Sequence, residues 1–142
     1  MAKVLVPFDG SKSALHALDY AIKLARQNRQ VSIHVVNAHE EPFVYGEIEV
    51  YVTHEKMAEL QRQHSAGVLL AAEKRLKKAA VPYTMEILVG NVAEMIARRA
   101  DKLRCDSIVM GTRGMSAIAS LVMGSVATKV VHLANVPVTL IK

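Results

Sequence analysis

Hydrophobic residues along the chain form five short runs, separated by longer stretches in which they recur every three or four positions. The short runs predict β-strands at Lys3–Val6, Val31–Val36, Thr84–Val89, Ser107–Met110 and Val138–Ile141. Strands that alternate with helices are typical of a parallel sheet covered on both faces. With right-handed crossovers, the pattern predicts an α/β fold: one doubly wound domain with a five-stranded parallel sheet in the order 3-2-1-4-5.

About four helices are predicted between these strands. The first follows Ser11 and the third follows Asn91, a predicted N-cap with Glu94 three residues later. A long helix is predicted from Thr53 to Ala79, although Gly67 weakens it, and a fourth follows Gly124. The hydrophobic positions expected to face the sheet are Leu15, Leu18, Ile22 and Ala25 in the first helix, Met57, Leu60, Val68, Ala71 and Ala72 in the long helix, and Val92, Ile96, Ala100 and Leu103 in the third.

The length of 142 residues predicts a single domain over residues 1–142. Hydrophobic residues make up 51% of the chain and charged residues 22%, a balance that excludes intrinsic disorder. No apolar run approaches the roughly 20 residues of a membrane span, so we expect no membrane association and a cytoplasmic location. The single cysteine, Cys105, excludes an internal disulfide, and we interpret it as a packing residue rather than a nucleophile.

A net charge of +5 favours anionic ligands. Nucleic acid is an unlikely partner, because two Phe, four Tyr and no Trp leave little for a stacking surface. The cations Lys74, Arg75, Lys77 and Lys78 end the long helix, where the helix dipole favours positive charge, so we interpret them as a solvated helix end.

In the predicted topology the winding direction reverses between strands one and four, where ligands bind at the carboxyl ends of such strands. This selects two loops, Pro7–Ser13 and the segment from Gly111 onward. Gly111 and Gly114 would bring backbone N–H groups close to an anion, and Gly124-Ser125 opens a helix whose N-terminus favours phosphate. The alternative is that each glycine only permits a turn or close helix packing.

Several enzyme classes lack their motifs here. The sequence has neither the Gly-x4-Gly-Lys-Ser/Thr loop of P-loop NTPases nor a Gly-x-Gly-x-x-Gly after the first strand. Its six histidines show no metal-binding spacing, and one of them, His34, falls within a predicted strand.

The spacing Gly111-x2-Gly114-x9-Gly124-Ser125, followed by Val126, resembles the nucleotide-binding signature of the universal stress protein family. The resemblance extends over nearly the whole chain. It includes the opening segment from Val4 to Ser11, His34-Val35-Val36, Gly90-Asn91, the segment from Cys105 to Gly111, and Val136-Pro137-Val138. The glycine signature resembles that of the family's ATP-binding branch.

This resemblance implies a role for each matching residue. Asp9 and the backbone of Val35 would hold adenine or ribose, with Pro7 on the same wall and Met110 and Gly111 under the sugar. The residues implied for the phosphates are Gly114, Gly124, Ser125 and the N–H of Val126, with Arg113 within reach. From the residues alone, two alternatives stay open: Asp9 as a turn or cap acid before the first helix, and Arg113 as a solvent-facing side chain.

The resemblance further implies a module for signalling or stress protection that binds ATP, or AMP or ADP. Mg²⁺ or Mn²⁺ is a candidate cofactor beside the nucleotide. No catalytic residue is identified. The alternatives are a slow ATP hydrolase or phosphoryl-transfer enzyme, and a dimeric scaffold in which nucleotide is only structural. The apolar segment Val136–Lys142 would form an uncovered sheet edge, which favours pairing, and the resemblance implies a homodimer through this C-terminal strand. The long connection from His39 to Tyr51 is interpreted as a lid or partner surface.

Overall fold

The structure is a computed structural model that describes residues 2–41, 53–113 and 123–142. Within these ranges, strands and helices alternate along the chain. Their bounds are β1 Ala2–Pro7, α1 Lys12–Gln27, β2 Val31–His39, α2 His54–Ala79, β3 Tyr83–Val89, α3 Val92–Lys102, β4 Ser107–Gly111, α4 Ser125–Leu133 and β5 Val138–Ile141. The predicted strands and helices are all found, and β2 is longer than predicted because it continues past Val36 to His39.

The strands form one parallel five-stranded sheet in the order β3-β2-β1-β4-β5, which confirms the predicted doubly wound α/β fold. The central strand β1 pairs with β2 on one side, where Val6 lies opposite Val35, and with β4 on the other, where Leu5 lies opposite Ile108. The carboxyl ends of β1 and β4 are therefore neighbours, as the prediction of the crevice requires.

Two hydrophobic clusters fill the two faces of the sheet. One packs beneath α1 and α2, and the other beneath α3 and α4. Phe8 follows β1 directly, is 2% exposed, and belongs to the cluster on the α1 and α2 face. Its aromatic ring is therefore part of the core that supports the β1 loop from below.

The hydrophobic face of α2 differs from the predicted one. The buried stripe of α2 consists of Ser65, Leu69, Ala72 and Leu76, whereas Leu60 is 47% exposed and Ala71 is exposed. Leu60 and Ala71 are therefore wrong among the five predicted inward positions. Ser65 takes part in the buried contact instead, whereas the larger Leu60 stays in solvent. No helix in the described ranges, α2 included, combines the length and apolar character needed to span a membrane.

His34 is a buried polar residue in β2, in agreement with its predicted place in a strand. Its Nδ1 lies 2.5 Å from Thr84 Oγ1, and its Nε2 lies 2.8 Å from Glu86 Oε1. The same carboxylate oxygen lies 3.2 Å from Nε of Arg99 on α3. Both ring nitrogens thus have a partner, and the cluster joins β2, β3 and α3.

Candidate functional site

The loops that follow β1 and β4 are in direct contact at the carboxyl edge of the sheet. Ser13 Oγ donates a hydrogen bond of 2.5 Å to the Arg113 carbonyl, and Ser11 Oγ approaches the same oxygen at 3.4 Å. The Arg113 N–H in turn lies 3.4 Å from Ser13 Oγ. The two hydroxyls fix the Arg113 backbone to the start of α1, while the Arg113 side chain is exposed.

Asp9 lies in the turn between β1 and α1. Its Oδ1 accepts a hydrogen bond of 2.9 Å from the Ser11 N–H, and the side chain is half-buried. Gly10 takes a φ of +83°, a conformation that suits glycine and brings the chain from the strand into the helix. Asp9 therefore does stabilise the turn, and no described residue donates a hydrogen bond to its second oxygen.

Gly111 ends β4 where α1 begins. A Cβ at this position would lie 2.8 Å from the carbonyl carbon of Ser13 and 2.9 Å from the Ala14 nitrogen, closer than side-chain atoms approach a backbone. Because Gly111 needs no positive φ, the reason for glycine here is close packing rather than an unusual backbone conformation. This contact holds the two walls of the crevice together.

Thr112 connects the end of β4 to the beginning of α4. Its carbonyl accepts a hydrogen bond of 2.5 Å from the Gly124 N–H, and its own N–H donates to the Ile141 carbonyl of β5 at 2.9 Å. Thr112 itself is 8% exposed. The glycines at the two ends of the long-spaced motif are thus brought to the same place, although twelve residues separate Gly111 from Gly124.

The N-terminus of α4 differs from those of the other helices in the described ranges. Ser11, Thr53 and Asn91 each accept a hydrogen bond from a backbone N–H in the first turn of α1, α2 and α3, so the predicted Asn91 cap is confirmed. At α4 the N-cap is Gly124, no side chain of the described residues caps the helix, and the first turn has no acidic residue. The first N–H groups of a helix have no acceptor within it, so this end can accept an anion.

Six of the predicted site residues lie at the carboxyl edge of the sheet or in the first turn of α4. Asp9, Gly111, Arg113, Gly124 and Ser125 lie at the carboxyl edge described above, and Ser125 is exposed at the first position of α4. Val126 is half-buried in the next position of that helix.

The other predicted residues contribute less surface. Pro7 is the half-buried last residue of β1, and Met110 is 5% exposed within the core. Val35 is fully buried and lies inside β2, opposite Val6 on one side and Met85 on the other. Gly114 and most of the predicted lid fall outside the described residues.

Sequence reasoning missed two residues that shape this edge. Ser13 holds Arg113, and Asn37, which is 7% exposed, donates a hydrogen bond of 2.9 Å from Nδ2 to the Phe8 carbonyl. Asn37 gave a usable signal, because an amide in a buried apolar strand requires a partner. Ser13 gave none, since a serine near a helix N-terminus is ordinary.

Cys105 lies away from this edge, before β4. It is 4% exposed within the core beneath α3 and α4. Burial raises the pKa of its thiol, which disfavours the nucleophilic thiolate. Cys105 thus has the packing role predicted from the sequence.

Comparison with known proteins shows to which family the chain belongs. Residues 1–142, the whole chain, match the universal stress protein family. The chain belongs to the universal stress protein family. Universal stress protein MJ0531 of Methanocaldococcus jannaschii is 33% identical over 142 residues, which cover 99% of this chain and 81% of that protein.

Solved structures of the family have the same fold. UspA from Lactobacillus plantarum superimposes with a TM-score of 0.85 at 23% identity, covering 99% of this chain and 97% of that one. A universal stress protein solved in complex with cAMP superimposes with a TM-score of 0.71 at 25% identity, covering 99% and 97% of the two chains. The family match over residues 1–142 and the relative that is 33% identical confirm the family resemblance inferred from the sequence.

Proposed function

We propose that this universal stress protein binds an adenine nucleotide, ATP or else AMP or ADP, at the edge formed by the β1 loop, the β4 loop and α4. The observation that carries the proposal is the N-terminus of α4, where Gly124 leaves the first-turn N–H groups without a side-chain cap. The related protein solved with cAMP adds support, since cAMP is an adenine nucleotide.

In the proposed complex, the two sides of the edge bind different parts of the nucleotide. The phosphates lie on the N–H groups of Ser125 and Val126, with the Ser125 hydroxyl as a further donor. Asp9 faces the nucleoside, since its second oxygen accepts hydrogen bonds from ribose hydroxyls or the adenine amine. Gly114, Pro7, Met110 and the backbone of Val35 stay predicted contacts on the strength of the sequence resemblance.

The proposed role is that of a nucleotide-dependent signalling or stress-protection module in the cytoplasm, rather than an enzyme. Asp9 is the one acidic residue within the two sequence segments Pro7–Ser13 and Gly111–Gly124. A divalent cation such as Mg²⁺ or Mn²⁺ would enter on the phosphates of ATP. Slow hydrolysis by such a complex is the second candidate function.

Calorimetric titration with ATP tests the proposal. We expect one nucleotide per chain and a higher melting temperature in the presence of ATP, because ligand that binds the folded state stabilises it. Absence of both heat and thermal shift at millimolar ATP would contradict nucleotide binding.

We also propose a homodimer through β5. This strand pairs with β4 on one side and is the last strand of the sheet, and all four of its residues are partly exposed. An uncovered edge strand favours pairing with a second copy around a two-fold axis. Light scattering should give the mass of two chains, and a monomer at tens of micromolar, or a dimer unaffected by deletion of Val138–Lys142, would refute this interface.

A further inference from the structure

A second concave surface lies between the second half of α1 and the last turns of α2. This groove has a volume of about 480 Å³ and is lined by Asp19, Ile22, Arg26, Arg75, Lys78 and Ala79. Since α1 begins at the candidate nucleotide site and runs away from it, the groove lies towards the opposite edge of the sheet. Its residues are separate from every residue assigned to nucleotide binding.

Of the three cationic side chains that line the groove, one forms an ion pair with a described carboxylate. Nη1 of Arg75 lies 2.7 Å from both carboxylate oxygens of Asp19, so these two charges compensate each other. Arg26 and Lys78 are exposed, and within the described part of the chain neither has a carboxylate partner. The groove therefore offers two uncompensated cations beside a fixed ion pair.

The helix dipole explains part of this arrangement. Arg26 lies in the last turn of α1 and Lys78 in the last turn of α2, where cations stabilise a helix. A dipole favours a cation anywhere around that turn, however, and does not require both cations to line one groove. It also does not explain the groove itself, whose small apolar floor is formed by the largely buried Ile22 and the half-buried Ala79.

We propose that this groove binds an acidic peptide segment of a protein partner. Carboxylates of the segment pair with Arg26 and Lys78, and an uncharged side chain between them lies over the floor at Ile22 and Ala79. The volume is that of a small-ligand pocket, which measures roughly 300–1,000 Å³, so the groove holds only a short part of the segment. The inference is independent of nucleotide binding, because it uses none of the same residues.

Two features of the groove favour a peptide over nucleic acid. A phosphodiester backbone carries a negative charge at every nucleotide, whereas a peptide can place an uncharged side chain beside the compensated Asp19–Arg75 pair. None of the lining residues is aromatic, so the groove lacks the stacking surface on which unpaired bases bind.

The binding test uses a fluorescein-labelled peptide of about twelve residues in which Glu and Leu alternate, measured by fluorescence anisotropy with the full chain. We expect saturable binding at low salt that weakens as salt is added, because exposed charge pairs are screened. The same peptide with Gln in place of Glu should not bind. Failure of the Glu peptide to bind at millimolar protein would overturn the proposal.

Matched variants locate the binding. The double variant Arg26→Gln/Lys78→Gln should weaken peptide binding about fivefold or more, from two exposed pairs of ordinary strength. The control Lys102→Gln/Lys129→Gln removes the same charge from exposed positions on α3 and α4, and should change binding less than about twofold. Equal losses in the two double variants would contradict a site in the groove.

Asp19→Asn provides a test of opposite sign. It releases Arg75 from its ion pair and should strengthen peptide binding about twofold to fivefold, while Asp101→Asn on α3 should not. An oligonucleotide of about twelve thymidines is measured in parallel. Equal or tighter binding of the oligonucleotide, lost in Arg26→Gln/Lys78→Gln, would overturn the peptide assignment in favour of nucleic acid.

Discussion

The helices α1 and α4 both begin at the carboxyl edge of the sheet, yet their N-termini are built differently. At α1, Ser11 accepts a hydrogen bond from the Ala14 N–H, and Asp9 accepts one from the Ser11 N–H. At α4, Gly124 offers no side chain, and its backbone instead bonds to Thr112 and Thr128. One helix end is capped by the side chain of its N-cap residue, and the other has no such cap among the described residues.

This contrast separates two kinds of binding surface within one crevice. The α1 side carries a carboxylate, which repels phosphate and attracts hydroxyl and amine donors. The α4 side carries N–H donors and no acidic residue in its first turn, which attracts phosphate. A nucleotide has both kinds of group, so the two helix ends favour one orientation of it over the reverse.

The largest expected effect comes from a substitution that forces the start of α1 away from the end of β4. Gly111→Val places side-chain atoms against the Ser13 and Ala14 backbone and should lower the free energy of unfolding by about 3 kcal/mol, in the upper range for overpacking. Gly67→Ala is the matched control. Gly67 has no neighbouring atom within 4 Å of a new Cβ in exposed α2, so its replacement should stabilise the protein by about 0.5–1 kcal/mol.

Denaturant unfolding of the two glycine variants measures both effects. A Gly111→Val protein as stable as the wild type would show that α1 and β4 do not depend on this close contact. Destabilisation by Gly67→Ala would show instead that glycine in α2 has a packing role.

A charge placed at the open helix end should reverse its preference for anions. Ser125→Asp should weaken ATP binding about tenfold, through repulsion of the phosphates, while it stabilises α4 by about 0.3–1 kcal/mol through the helix dipole. Ser125→Asn has the same shape without the charge and should weaken binding less than about threefold. ATP titrations and thermal melts of both variants measure these changes, and equal affinity in the two would exclude the α4 end as the phosphate site.

The smallest expected effect on affinity comes from the α1 side. Asp9→Asn can keep the hydrogen bond to the Ser11 N–H but adds an amide donor, so it should shift the preference among ATP, GTP and deoxy-ATP while affinity changes little. Nucleotide titrations measure this selectivity.

Single-turnover hydrolysis at saturating ATP separates this role from catalysis. As a nucleoside contact, Asp9 affects turnover only through occupancy. As a metal ligand or general base, its replacement would slow turnover by about a hundredfold or more. A fast wild-type rate that collapses in Asp9→Asn, with selectivity unchanged, would favour the enzyme over the binding module.

Much of the fold followed from hydrophobic periodicity. The run Val31–Val36 and the amphipathic spacing after Ser11 and Asn91 predicted the elements, and chain connectivity then predicted the sheet order. The buried face of α2 did not follow, since Ser65 is fully buried while Leu60 is exposed. Polarity alone does not show which side of a long helix meets a sheet.

The candidate site was predictable to a similar depth. The reversal of winding located the two loops, and glycine spacing singled out Gly111 and Gly124. The close approach of Gly111 to Ser13 was not predictable, because it joins residues about a hundred positions apart whose distance depends on how α1 crosses the sheet. The register that sets Val35 opposite Val6 and Met85 was likewise not predictable from the sequence.

A crystal structure of the protein with ATP tests the central claim most directly. The account predicts phosphate oxygens within hydrogen-bond distance of the Ser125 and Val126 N–H groups, and the ribose or adenine beside the second carboxylate oxygen of Asp9. The reverse orientation, with the phosphates beside Asp9, or a nucleotide bound outside this crevice, would contradict it.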